Sequence, residues 1–394
     1  MPFAPPVTRR RIGLGLLALL ALGAGFGLIR APGAIERGLN RVLPHDPWAI
    51  SDPARALHAS IPVADLHADP LLWNRDWLSR ADRGHTDLPR LQEGGVALQV
   101  MTAVTKSPAG QNYERNEAGS DVITLLVAIQ RWPFATWSSP FRRALHQAQR
   151  LEGWAKSSDG ALVVIRNRTD LRSLQDARTK GSNTVGAIFG IEGAHALDGE
   201  IENLAALEAL GLRVVGLTHF FDNRVGGSLH GVSGEGLTPL GHELVEQASL
   251  RRMLIDVAHA SPQMVRDVLA LSERPVILSH GGFKGICDSA RNLDDDLMRE
   301  IALDGGLIGV GFWAGAICDF TPRGVVRAIR YGIDLLGVDH IALGSDYDGG
   351  TSVLFDASEL AILTQTMLDE GFSEEEIRKV MGGNTFRFFA TWLP

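Results

Sequence analysis

Eight short apolar runs recur along this chain, most of them followed by a stretch of helical period, and that alternation narrows the fold more than any other feature. The runs are 61–67, 94–104, 184–191, 212–218, 252–258, 275–279, 307–313 and 341–346. Helical period fills the later gaps, as in Leu204 to Leu210, Gly241 to Arg251, Pro262 to Leu271, Asp295 to Asp304 and Val325 to Gly337. Parallel strands buried on both faces read as near-continuous apolar runs rather than as alternating ones. Eight β–α units in one chain therefore point to an α/β fold of the (β/α)8 TIM barrel type. The segment 105–183 is longer than one crossover needs. It carries helical stretches near 113–131 and 141–157 and a spare short strand at Ala161 to Ile165. Residues 356–391 read as closing helices.

The N-terminus is different in kind. Residues 1–11 hold Arg9, Arg10 and Arg11 and no acid, and Ile12 to Ile29 run 18 residues without a charge. That length suits a bilayer span or a long signal-peptide core. The basic flank predicts a cytoplasmic start and an exported body. With no clean A-x-A cleavage site, an uncleaved anchor is preferred over a removed signal. The body is then expected on the periplasmic side of the inner membrane, or periplasmic or secreted after cleavage. The chain divides into an anchor or signal (1–30), a tether and entry helix (31–60) and the barrel (61–394). The only two cysteines are Cys287 and Cys318, and an oxidising compartment is compatible with their bonding. A net charge of -8 and no dense basic stripe argue against nucleic acid as the main partner.

In a barrel of this kind, chemistry gathers at the C-terminal ends of the strands. His67 and Asp69 leave the first run two residues apart, so they point to the same side. The other runs deliver Glu192, His219, His259, His280 and Asp346. A lone histidine at a strand end is more often a hydrogen-bonding loop residue than a ligand. Ligand-type residues at six strand ends sharing one mouth are another matter. Three histidines and two acids supply about five metal bonds, more than one tetrahedral zinc with an open position takes. Two metals sharing a carboxylate suit that count. Among the remaining histidines, His195 shares a loop with Glu192 and can support it. His230 lies in a Gly-rich loop that can reach the site. His340 precedes its strand, on the wrong face, and reads as structural. His58, His85, His146 and His242 are assigned to surface or packing.

The segments DLHADP (65–70), GIEGAHAL (190–197), GLTHFFDNRVGGS (216–228), GLTPLG (236–241), IDVAHAS (255–261), PVILSHGGFKGICDSARNLDDD (275–296), HIALGSDYDG (340–349) and GGNTFR (382–387) are specific as an ordered set. Together they resemble the membrane dipeptidase (renal dipeptidase) family of zinc metallopeptidases, from about residue 60 to 390. The resemblance implies a barrel of the metal-dependent hydrolase type with two zinc ions per subunit. His67 and Asp69 would hold one, His259 and His280 the other, and Glu192 would bridge them. It implies hydrolysis of dipeptides by a hydroxide shared between the ions. His219 would contact substrate and stabilise the tetrahedral intermediate. Arg291 would bind the substrate's terminal carboxylate, and Asp346 would touch substrate and carry the proton. Asp348 would hold the loop. Cys287 and Cys318 stand where relatives carry a disulfide. Membrane contact would run through residues 12–29, and a homodimer stays open. Ala68 replaces a residue that is often polar or cysteine in relatives. Phe220 to Arg224 differ from the mammalian form, so the resemblance assigns no substrate preference. The competing reading keeps the metal centre but gives it another amide or a lactone.

Overall fold

The structure, a computed structural model, describes residues 30–394. The apolar stretch 12–29 lies outside the described residues. Eight parallel strands form the body: β1 (Val63–Ala68), β2 (Val96–Val104), β3 (Val185–Glu192), β4 (Leu212–Gly216), β5 (Leu254–Asp256), β6 (Ile277–Gly281), β7 (Leu307–Val310) and β8 (Ile341–Leu343). Each pairs with the next in chain order, and Leu343 of β8 pairs with Asp65 of β1, so the ring closes. Each strand lies within one of the eight apolar runs or, like β1 and β6, overshoots it by one or two residues. The spare strand forms as Leu162–Val164 and pairs with the first residues of β3, while β4 pairs with the later ones.

Local chemistry explains the helix starts. Thr238, Ser261 and Thr321 each precede a proline, and each hydroxyl accepts a backbone N–H three residues on, opening Pro239–Leu250, Pro262–Leu271 and Pro322–Leu336. A side-chain cap followed by proline at the first helical position satisfies an orphan donor and removes another. Close packing between strands uses glycine at two positions. A Cβ at Gly309 or at Gly344 would stand 2.0 or 2.1 Å from the Ser279 carbonyl oxygen.

Two regions depart from the expected outline. The helix expected near 113–131 shrinks to Val122–Ile129. Ahead of it, Asn112 Oδ1 accepts from the backbone of Glu114 and Arg115, at 3.0 and 2.8 Å, a side-chain turn that competes with helix. The loop 105–121 therefore crosses the barrel mouth as irregular chain. The stretch 31–60 does contain a helix, Asp52–Ala59, but the remainder is docked rather than strung out. Glu36 is buried and ion-paired with Arg75 and Arg83. Arg41–Val42 pairs with Ser352–Val353. His58 lies between Thr364 Oγ1 (2.8 Å) and the Gly94 carbonyl (3.0 Å). No helix among the described residues is long and apolar enough to cross a membrane.

Candidate metal centre and active site

The strand ends deliver the five expected ligands to one buried point. Glu192, last residue of β3, puts Oε1 3.5 Å from His67 Nε2, 3.2 Å from His259 Nε2 and 3.5 Å from His280 Nε2. His67 Nε2 is 3.4 Å from Asp69 Oδ2, and the Nε2 atoms of His259 and His280 are 3.0 Å apart. Donor atoms of His67, Asp69 and Glu192 lie within 4.8 Å of one another, and so do those of Glu192, His259 and His280. Glu192 is the member common to both groups.

Neighbouring hydroxyls aim these donors. Ser279 Oγ stands 3.1 Å from His67 Nδ1 and 2.9 Å from His280 Nδ1. A hydroxyl oxygen has two lone pairs and can accept from both rings, and both Nε2 atoms then face Glu192. Thr102, on β2, donates to Asp69 Oδ1 and leaves Oδ2 beside His67.

Charge shows whether cations fit. Burial, reinforced by Asp69, pushes the Glu192 carboxyl well above its usual range. Burial lifts Asp346 to about 8 against the pull of His67. Burial alone would lower His67, yet Asp69 and Glu192 raise it to about 10. Burial keeps His259 and His280 well below their usual value, and so neutral. Asp69, Glu192 and Asp346 thus converge on one buried point beside the imidazoles. Imidazole nitrogens and carboxylates are the donors zinc takes, and bound cations would offset this crowding of acids. The residues fit bound metal.

The remaining predicted site residues surround this centre. His219 Nε2 is 3.3 Å from Glu192 Oε2 while Nδ1 faces the Lys106 carbonyl at 3.3 Å. Burial lowers its pKa to about 4. Asp346 sits 3.9 Å from His67 Nε2, in left-handed backbone with φ 59°. A Cβ at Gly349 would come 2.1 Å from its Oδ1. Arg291 is buried, donates to the His280 carbonyl at 2.7 Å, and lies 5.6 Å from the Trp313 ring. That donation goes to backbone, not to a carboxylate. Asp348 accepts from His85 N (2.7 Å), Thr86 N (3.3 Å) and Thr86 Oγ1 (2.6 Å) and ion-pairs with Arg75, so it ties the loop down. The Cys287–Cys318 disulfide joins the segment bearing Arg291 to the turn after Trp313.

The other histidines take separate places. His195 packs at a tilt against Phe221, outside the ligand groups, with both ring nitrogens unpartnered. His230 bonds the Tyr113 carbonyl at 2.7 Å and packs against His259, with ring centroids 5.3 Å apart. His340 bonds the Gly306 carbonyl, beneath the barrel. His85 is fully buried and accepts from Asp348 N.

Sequence reasoning passed over several contributors. Asp65 accepts from Ser345 N (2.8 Å), Ser345 Oγ (2.6 Å) and Gln99 Nε2 (3.0 Å), fastening β1 to the Asp346 turn. Asp256 Oδ1 accepts from Ala258 N and Ser279 N, both at 3.0 Å, and joins a further donor group with His67 and His280. Both are acids inside otherwise apolar runs, which is a signal the sequence does carry. Thr102, Ser279 and Tyr113 carry none. The Tyr113 hydroxyl accepts from Trp313 Nε1 at 2.8 Å, so the loop 105–121 is pinned across the mouth.

Residues 51–392 match the sequence profile of the membrane dipeptidase family, peptidase family M19. The chain is 26% identical over 372 residues to dipeptidase ataJ of Aspergillus terreus, covering 85% of each. It is 27% identical over 369 residues to human dipeptidase 3, covering 85% of this chain and 66% of that one. A solved structure of dipeptidase AC, a family M19 metallopeptidase, superposes with TM-score 0.69 at 25% identity, covering 85% and 99% of the two chains. A metallopeptidase from Rhodobacter sphaeroides, liganded with a phosphinate mimic of the dipeptide L-Ala-D-Ala, gives 0.68 at 25% identity over the same shares.

Proposed function

The chain belongs to the membrane dipeptidase family, peptidase family M19, and from that premise we propose that it hydrolyses dipeptides with two zinc ions, one on His67 and Asp69, one on His259 and His280, with Glu192 between them. The observation that carries this reading is the single Glu192 oxygen within 3.2 to 3.5 Å of three imidazoles. Bound zinc supplies an activated water near neutral pH and polarises a carbonyl.

The chain's own residues do the rest. Arg291 takes the substrate's C-terminal carboxylate, a task suited to a planar, two-pronged cation, and this confines the site to short substrates. Asp346 faces the cavity 3.9 Å from His67 Nε2, placed to accept a proton and release it to the leaving amine. His219 has Nδ1–H directed at the Lys106 carbonyl. Its Nε2 therefore donates to an oxyanion only as the doubly protonated ring, a form that developing negative charge favours. The loop 105–121 lines one side of the mouth and is tied to Trp313 through Tyr113. The charge-free run 12–29 behind a basic flank, together with the Cys287–Cys318 bond, supports an exported body.

A dipeptide panel run before and after chelation tests the reading. We expect turnover to vanish with the metal and to return with added zinc. The same dipeptide with its carboxylate amidated should be a poor substrate. Equal turnover of free acid and amide would favour the competing amide or lactone reading.

A further inference from the structure

The cavity above the ligands measures about 560 Å³ and its two sides differ in chemistry. Arg291 follows β6 and Trp313 follows β7. In an eight-membered ring β2 stands four positions from β6 in either direction, so the C-terminal end of β2 faces Arg291 across the mouth. That far wall is Leu72, Trp73, Val104, Ile123 and Leu126, buried and packed as one apolar cluster. Val104 ends β2, and Ile123 and Leu126 come from Val122–Ile129 in the long insert. The wall's polar atoms are already engaged. Trp73 Nε1 donates to the Asp348 carbonyl at 2.6 Å, and the Asp348 carboxylate is held by Arg75. The same helix extends the surface outward through Val122 and Leu125, 45% and 65% exposed.

Resting on the dipeptidase reading, we infer that this wall is the subsite for the side chain of the substrate's N-terminal residue, and that it selects large apolar side chains. A dipeptide whose carboxylate sits on Arg291 and whose peptide carbonyl lies over Glu192 directs its N-terminal half toward β2. Glycine leaves the wall wet and empty. Leucine or phenylalanine covers it and gains the transfer free energy of a buried side chain, a preference of about ten- to a hundredfold over glycine. A lysine or aspartate side chain enters the same place without a partner and loses its hydration.

The test is kcat/KM for X-Ala with X as Gly, Leu, Phe, Lys and Asp, in wild type and in Leu126→Ser, Ile123→Ser and the exposed Leu125→Ser. The readout is the ratio of Leu-Ala to Gly-Ala within each protein, which does not depend on the fraction folded. We expect Leu and Phe to lead by at least about tenfold, Lys and Asp to trail, and the ratio to fall toward one in Leu126→Ser and Ile123→Ser, with a smaller fall in Leu125→Ser. A flat panel, a lead for Lys or Asp, or an unchanged ratio in all three variants overturns the subsite while leaving dipeptide hydrolysis standing. No turnover of any dipeptide by the metal-loaded wild type overturns both.

Discussion

Asp346 and Asp348 stand two residues apart on one turn, both in left-handed backbone with φ 59° and 64° and both buried, yet their surroundings are opposite. Asp348 is surrounded by donors from Arg75, His85 and Thr86. Burial pushes its carboxyl up, but Arg75 and the other donors more than offset this and hold it below the usual value of 3.8. Asp346 faces the cavity, with His67 3.9 Å away as its nearest cationic partner, and sits near 8. A buried acid with its lone pairs filled is scaffold. A buried acid kept short of donors is held for something that arrives, and the ligand cluster around Glu192 repeats that pattern.

The largest expected effect breaks the active side of the pair. Asp346→Asn should lower turnover by about 10²- to 10⁴-fold while metal content and melting temperature stay near wild type. Full turnover with normal metal removes Asp346 from proton transfer. Next comes the scaffold side. Asp348→Ala leaves Arg75 buried without this partner and should cost about 3–5 kcal/mol of stability, read by chemical denaturation. Because the folded Asp348 pKa is depressed, its contribution is present at neutral pH and is lost as pH falls below 3.8. Asp348→Asn should therefore flatten the acid limb of the stability profile. A variant as stable as wild type would show that the network around Asp348 does not hold the turn.

Two smaller effects sharpen the contrast on the Arg291 side. The Cys287–Cys318 bond spans 31 residues, and replacing both cysteines by serine should cost about 3–4 kcal/mol on loop-entropy grounds. KM should rise more than kcat falls, because the bond braces the segment that presents Arg291. Tyr113→Phe removes one acceptor from Trp313 and should raise KM only severalfold, the scale of about 0.5–1.5 kcal/mol for one hydrogen bond. A fall in kcat with KM fixed would place Tyr113 in the chemistry instead.

Much of the barrel and the ligand set is legible in sequence because both write on the same residues. A parallel strand must be apolar throughout, so a histidine or acid at its end stands out, as His67, Glu192, His259 and His280 do. Ser279 and Thr102 cannot be read, since a hydroxyl near a strand end is common and acts here only through geometry. Residues 31–60 read as a tether because their anchors are distant in sequence. Arg41 pairs beside Ser352, and Glu36 meets Arg75. The shortened insert helix comes from the Asn112 turn, a signal that composition over 113–131 does not contain.

The shared carboxylate is the central claim, and zinc counted per chain in wild type and in Glu192→Gln tests it most directly. We predict two ions per chain in the wild type, and loss of metal together with activity in the variant. A single ion in fully active wild type, or a variant that keeps both ions and full turnover, would contradict it.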